Sequence, residues 1–148
     1  MLDFGCGDAP NARAFKHYIG IDISKRLLKK AMRGAPNAIF ICDDHVSFKG
    51  RVDAVLCHGV LQYLSLERFE MIMNEFDRIS KRILITDIPD VERATERELE
   101  RSKKHDGNLQ HRYYSKLEFK ERGYEIVSHD FKSNNYSTQE WYFDAVRR

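Results

Sequence analysis

Apolar residues over the first 90 positions follow two alternating rhythms. Continuous runs at Tyr18-Ile19-Gly20-Ile21-Asp22, Ala38-Ile39-Phe40-Ile41, Val52-Asp53-Ala54-Val55-Leu56 and Arg82-Ile83-Leu84-Ile85-Thr86 suit strands covered on both faces, as in a parallel sheet. Between them the spacing turns helical. Ser24 stands as an N-cap before Leu27, Leu28, Ala31 and Met32, which share one helix face, and Gly34 closes the pattern. Ser65 precedes Leu66, Phe69, Ile72, Met73, Phe76 and Ile79 at the same period. Strand-helix-strand repetition with right-handed crossovers predicts an α/β fold with an open, doubly wound sheet.

Beyond residue 90 the pattern changes. Glu92 to Lys104 is almost wholly charged, and its Arg93-Glu96, Arg97-Glu100 and Glu100-Lys104 pairs suit an exposed helix. Ser115-x-x-Glu118 forms a capping box for a short helix that Gly123 ends. Tyr124 to Ser128 and Trp141 to Val146 read as two last strands. The polar run Lys132 to Glu140 between them is short enough for a hairpin, so this pair is expected to be antiparallel. The chain reads as one domain, 1–148, with residues 1–90 forming one half and 91–148 the other.

Composition narrows the class. The 148 residues are 42% hydrophobic, with nine Phe and seven Tyr, enough for a globular core. No stretch approaches the roughly 20 apolar residues of a membrane helix, and the start, Met1-Leu2-Asp3-Phe4-Gly5, shows no secretory signal. A cytoplasmic location is the expectation. A net charge of +2 does not by itself argue for nucleic acid or membrane. Cys6, Cys42 and Cys57 form an odd set without C-x-x-C spacing. That disfavours a disulfide framework and a zinc site, so no metal is expected, and all three read as buried small side chains.

Candidate chemistry gathers where strands end. Asp3-Phe4-Gly5-Cys6-Gly7-Asp8 stands where a first strand should meet a first helix, over the crevice in which doubly wound folds bind ligands. Glycine there lets the backbone turn sharply and approach a ligand closely. Asp22 closes the next strand, where a rigid carboxylate suits the two hydroxyls of a ribose. Asp43-Asp44 follow the third strand, within reach of an adenine amino group. Three marks in this order point to a nucleoside site. The dinucleotide fingerprint fails, because Pro10 stands where it needs a small residue; Pro10 reads instead as an early helical residue.

Leu2-Asp3-Phe4-Gly5-Cys6-Gly7 resembles motif I of class I S-adenosylmethionine-dependent methyltransferases. Gly20-Ile21-Asp22-Ile23-Ser24 resembles the second motif and Ala38-Ile39-Phe40-Ile41-Cys42-Asp43-Asp44 the third. The stretch from Val52 through Cys57-His58-Gly59 to Leu64 is similar to the fourth. The resemblance implies a Rossmann-like, mostly parallel sheet with an antiparallel last strand, and S-adenosylmethionine as cofactor. It implies that Asp3, Gly5 and Gly7 cradle the methionine end, Asp22 takes the ribose and Ile23 packs on the adenine. Asp43 or Asp44 would meet the adenine amino group, with backbone around Cys57 and His58 near the methionine. Two departures stand out: Ala9 replaces a frequent third glycine, and the sequence starts inside the first strand, so a fold without the family's N-terminal helices is the expectation.

His58, an imidazole at the end of the fourth strand, is the candidate catalytic base. Tyr63 and Asp87, then Arg112, Tyr113 and Tyr136, are candidates for acceptor contacts. A small molecule or saccharide, methylated at oxygen, is the expected acceptor, with a faint resemblance to methyltransferases of surface-polysaccharide clusters. Nucleic acid ranks behind it, since the chain lacks the Asn/Asp-Pro-Pro-aromatic tetrapeptide and any basic stripe with interleaved aromatics. The competing classes are a non-catalytic binding module and a nicotinamide oxidoreductase.

Overall fold

The structure, a computed structural model, describes residues 1–47, 49–96, 99–100, 112–132 and 141–148, with backbone alone at 128–132 and 141–142. Its strands are β1 (Leu2–Phe4), β2 (Ile19–Asp22), β3 (Ile39–Cys42), β4 (Val55–His58), β5 (Ile83–Pro89), β6 (Glu125–Lys132) and β7 (Trp141–Arg147). Its α-helices are α1 (Lys25–Gly34), α2 (Leu66–Ile79) and α3 (Lys116–Glu121). One sheet runs in the order β3-β2-β1-β4-β5-β7-β6. The pairs from β3 to β5 are parallel, and β7 is antiparallel to both β5 and β6. The order reverses between β1 and β4, which opens a crevice at their carboxyl ends.

The larger core lies under α2. Leu2, Phe4, Val55, Cys57, Ile83 and Ile85 alternate onto that face and meet Phe69, Ile72, Met73, Phe76 and Ile79. Phe4 meets Phe76 edge-on at 5.6 Å between ring centroids. Burying Phe76 contributes about 1.5–3 kcal/mol, and truncating it to Ala would cost about 3–5 kcal/mol through the cavity left behind. Phe119 of α3 extends the same cluster to Phe69, Tyr114, Tyr124 and Phe143. On the other face Leu28 and Ala31 of α1 pack on Cys6, Ala9 and Tyr18.

Helix starts agree with their local signals. The Ser24 hydroxyl accepts from Leu27 N–H and the Ser65 hydroxyl from Arg68 N–H. The Ser115-Glu118 capping box is complete, and Gly123 follows α3 at φ 80°.

Several expectations need correction. The segment after the first strand holds only a 3-10 turn, Ala12–Ala14, and Pro10 lies in a turn ahead of it. Gly5, Gly7 and Ala9 all take positive φ, so the backbone leaves helical space three times before Pro10. β4 starts at Val55 rather than Val52, because Val52 N–H is committed to Ile79 O at the end of α2. β3 is the sheet edge, so its run is not covered on both faces, and Ile39 is 59% exposed. Cys42 is exposed, while Cys6 and Cys57 are buried. Met32 and Leu66 extend past the apolar faces of their helices into solvent. The charged helix expected over 92–104 and the loop 132–140 fall largely outside the described residues. Among those described, no helix is long and apolar enough to cross a membrane.

Candidate functional site

The bend after β1 is tied to β2 by backbone alone. Gly5 N–H and Cys6 N–H both donate to Ile21 O, at 2.7 and 3.1 Å. Gly5 has φ 75°, and a Cβ there would lie 2.1 Å from Val60 Cγ2, so no side chain fits. Gly7 has φ 55°, and a Cβ there would meet only Leu27 Cδ1, at 3.9 Å. Its outer side is open to an approaching group.

Asp22 completes this bend. Its Oδ2 accepts from Gly7 N–H at 2.8 Å and its Oδ1 from Ser24 N–H at 2.7 Å. The second bond is an Asx-turn that also starts α1. A carboxylate offers about four lone-pair sites, so two oxygens held in place still have capacity for a diol. Ile23, beside it, is 73% exposed. A large aliphatic side chain unpartnered at the mouth of a crevice suits the flat face of a base.

Asp3 lies deeper, buried at 4% exposure, and accepts from the Tyr18 hydroxyl. Burial raises its carboxyl above the ordinary 3.8, opposed by the Tyr18 hydrogen bond and by His58 and reinforced by Asp22. Burial and Asp3 together push the Tyr18 phenol up, so it remains a donor. Burial pushes the Cys6 thiol up to about 12, and it raises the Cys57 thiol as well, the latter facing the α2 core. Only backbone at Cys57 is left to face the crevice.

After β3, Asp43 and Asp44 are already partnered. Asp44 Oδ2 lies 2.6 Å from Arg68 Nη2, and His45 Nδ1 lies 2.7 Å from Asp43 Oδ1 and 2.9 Å from Asp44 Oδ1. The hydrogen bonds to His45 and Arg68 hold the Asp44 carboxyl below its ordinary value. The ligand atoms of Asp43, Asp44 and His45 fall within 4.8 Å of one another, yet the Arg68 guanidinium already supplies the compensating cation. Asp43 N–H reaches Asp22 O at 3.2 Å, so the end of β3 stays joined to the Asp22 loop.

His58 ends β4 next to Thr86 of β5, its register partner. Its Nδ1 is 2.6 Å from Thr86 Oγ1, and its Nε2 is 3.6 Å from Asp87 Oδ2. The ring is largely exposed. The other acceptor candidates divide. Tyr63 sits half-exposed at the end of a 3-10 turn, Leu61–Tyr63. Arg112 N–H donates to Gln62 O, and the Tyr114 hydroxyl to Leu61 O, which brings residues 112–114 against that turn. The Arg112 guanidinium is spent on structure: Nη2 bonds Glu118 Oε1, and the group lies over the Phe69 and Tyr114 rings. Tyr136 lies outside the described residues.

The sequence reading missed Tyr18, Thr86 and Gln62. Gln62 is buried, with Oε1 lacking a hydrogen-bond partner, as does Arg112 Nη1. A Cβ on Gly59 would meet Gln62 Nε2 at 3.9 Å, which places this amide beside the residue after His58. A polar residue inside Val60-Leu61-Gln62-Tyr63-Leu64 was its available signal. Tyr18 and Thr86 left none, since both act through register.

Comparisons with known proteins bear on the fold and the family. No curated protein sequence matches the chain significantly. Among solved structures, magnesium protoporphyrin IX methyltransferase from Synechocystis PCC 6803 with bound S-adenosylhomocysteine aligns at TM-score 0.69 and 19% identity, over 99% of this chain and 73% of that one. DhpI in a complex with S-adenosylmethionine and HEP aligns at TM-score 0.68 and 16% identity, over 99% and 77%. The methyltransferase domain of bacterial CtHen1 aligns at TM-score 0.57 and 17% identity, over 98% and 88%. Likenesses this distant speak for the fold. The model of the methyltransferase domain family matches residues 2–86, more than half of the chain, and with it this chain belongs to that family of class I S-adenosylmethionine-dependent methyltransferases.

Proposed function

We propose that this chain methylates a hydroxyl oxygen of a small-molecule or saccharide acceptor. The carrying observation is the meeting of three strand ends. Phe4 pairs with Ile21 of β2 and Cys57 of β4, so Asp22 and His58, one residue further on each strand, flank the Gly5 bend that ends β1.

Asp22 would take the ribose diol on its free lone pairs, and Ile23 would cover the adenine. Asp43 is the better partner for the adenine amino group, because Asp44 is held by Arg68. The Gly5-Gly7 bend and Asp3 would receive the methionine end, an ammonium against a buried carboxylate. When bound, S-adenosylmethionine supplies an electrophilic methyl carbon whose former bonding pair stays on sulfur. His58 Nε2 accepts the proton that the acceptor hydroxyl gives up. Tyr63, half-exposed on the turn that follows His58, favours a polar acceptor through its hydroxyl. Arg112 acts as scaffold, and Tyr113 and Tyr136 would be further contacts to the acceptor. That a structural neighbour is named for a porphyrin supports a small-molecule acceptor.

The test is S-adenosylhomocysteine release with a panel of hydroxylated small molecules and sugars. His58→Ala should lower turnover by about 10²–10⁴ while leaving S-adenosylhomocysteine affinity unchanged. Wild-type turnover by that variant, or transfer to amines alone, contradicts the reading.

A further inference from the structure

A strand normally sends consecutive side chains to opposite faces of its sheet. β5 breaks this rule at Thr86 and Asp87. From Ile85 to Ile88 it takes three residue steps while β7 takes two, from Ala145 to Phe143, so β5 carries an extra residue there. Asp87 absorbs it with φ 57° in the left-handed region, although it has a Cβ. Its N–H is held by a β7 side chain, bonding Asp144 Oδ1 at 3.2 Å.

The result is that two neighbours in sequence reach one imidazole. Thr86 is the cross-strand partner of His58 and meets Nδ1 at 2.6 Å. Asp87 should have faced the α2 core, as Ile85 does, but its carboxylate lies 3.6 Å from Nε2. Backbone strain of this kind persists where the surrounding structure enforces it. Here the enforced outcome is a hydroxyl and a carboxylate on the two nitrogens of a single ring.

We infer that Thr86 and Asp87 are positioning residues for His58, and that the β5 bulge is the device that places them. The inference rests on His58 being the base. Thr86 Oγ1 accepts from Nδ1–H and so leaves the Nε2 lone pair as the one that receives a proton. At 3.6 Å the Asp87 carboxylate is too far for a hydrogen bond to the neutral ring. It lies instead against the positive charge that the ring acquires, limiting rotation of the imidazole about its χ angles. Asp144 of β7 acts on this arrangement only through the Asp87 N–H that it accepts.

The alternative is that Asp87 serves only the turn, since Asp tolerates the left-handed region better than most residues. Substitutions separate the two. Asp87→Gly keeps the backbone conformation at no steric cost and removes the carboxylate. Thr86→Val keeps shape and removes the hydroxyl. Ring-nitrogen NMR on the cofactor-free protein reads the His58 tautomer directly. The wild type should show the Nδ1–H form alone and Thr86→Val two tautomers, whereas Asp87→Gly should keep the Nδ1–H form, its Tm and its affinity for S-adenosylhomocysteine but give a ring more mobile by NMR relaxation. An Nε2–H ring in the wild type, an unaltered tautomer in Thr86→Val, or an Asp87→Gly ring no more mobile than that of the wild type would overturn the inference. Because no ligand is needed for the tautomer, failure of S-adenosylhomocysteine to bind the wild type would count against the cofactor reading and leave the ring measurement standing.

Discussion

Asp22 Oδ2 accepts the backbone N–H of Gly7 at 2.8 Å, a contact spanning 15 residues that locks the bend after β1 to the end of β2. The same carboxylate starts α1 through Ser24 N–H. One side chain therefore sets the loop shape, the helix start and the position of two acceptor oxygens at the crevice.

Asp22→Asn separates these roles. An amide has only one acceptor oxygen, so one of the two N–H groups loses its partner. Hydrogen bonds to charged groups are worth about 1.5–3 kcal/mol. Affinity for S-adenosylhomocysteine should fall roughly tenfold or more on the scale of about 1.4 kcal/mol per decade, measured by titration calorimetry alongside a lowered Tm.

Two glycines give opposite signs. Gly5→Ala places a Cβ on Val60 at a left-handed φ, and strain plus overpacking should cost about 2–5 kcal/mol. Gly34 ends α1 with nothing within 4 Å of an added Cβ, so Gly34→Ala should stabilise by about 0.4–1 kcal/mol. Urea denaturation of both variants reads the contrast.

Asp3 ties stability to pH. Its folded-state value is raised by burial, so the ionised form costs stability, and that cost disappears as pH falls through the raised value toward the ordinary 3.8. Asp3→Asn keeps an acceptor for Tyr18 and removes the charge. Near neutral pH it should be the more stable, read as a higher Tm, while binding S-adenosylhomocysteine more weakly. The Tm gap should close as the buffer approaches pH 4; a gap that widens would contradict this.

Thiol chemistry should single out one cysteine. Cys6 and Cys57 are buried with thiols pushed up, whereas Cys42 is exposed at the sheet edge. Native protein treated with iodoacetamide should carry the label at Cys42 alone, as read by peptide mass spectrometry.

What could be read from residues was whatever is encoded locally. The Ser24 and Ser115 caps, the Asp22 position after its strand and the antiparallel last pair each depend on a few neighbouring positions. Tyr18 meeting Asp3 and Thr86 meeting His58 depend on strand register across 15 and 28 residues. The bulge at Asp87 adds one residue to β5 without any composition signal, since Asp-Ile-Pro reads as a strand ending normally. The missing first helix turns on Ala9 adopting φ 52°, a conformation that alanine rarely takes. Cys42 was misjudged because an apolar run does not reveal whether its strand lies at an edge.

The most direct measurement is a crystal structure of this chain soaked with S-adenosylhomocysteine. The sugar hydroxyls should hydrogen-bond Asp22, with the base on Ile23 and the amino-acid end over the Gly5-Gly7 bend. Ligand density elsewhere, or an Asp22 carboxylate still bonded to Gly7 and Ser24 alone beside a bound ligand, would contradict the account.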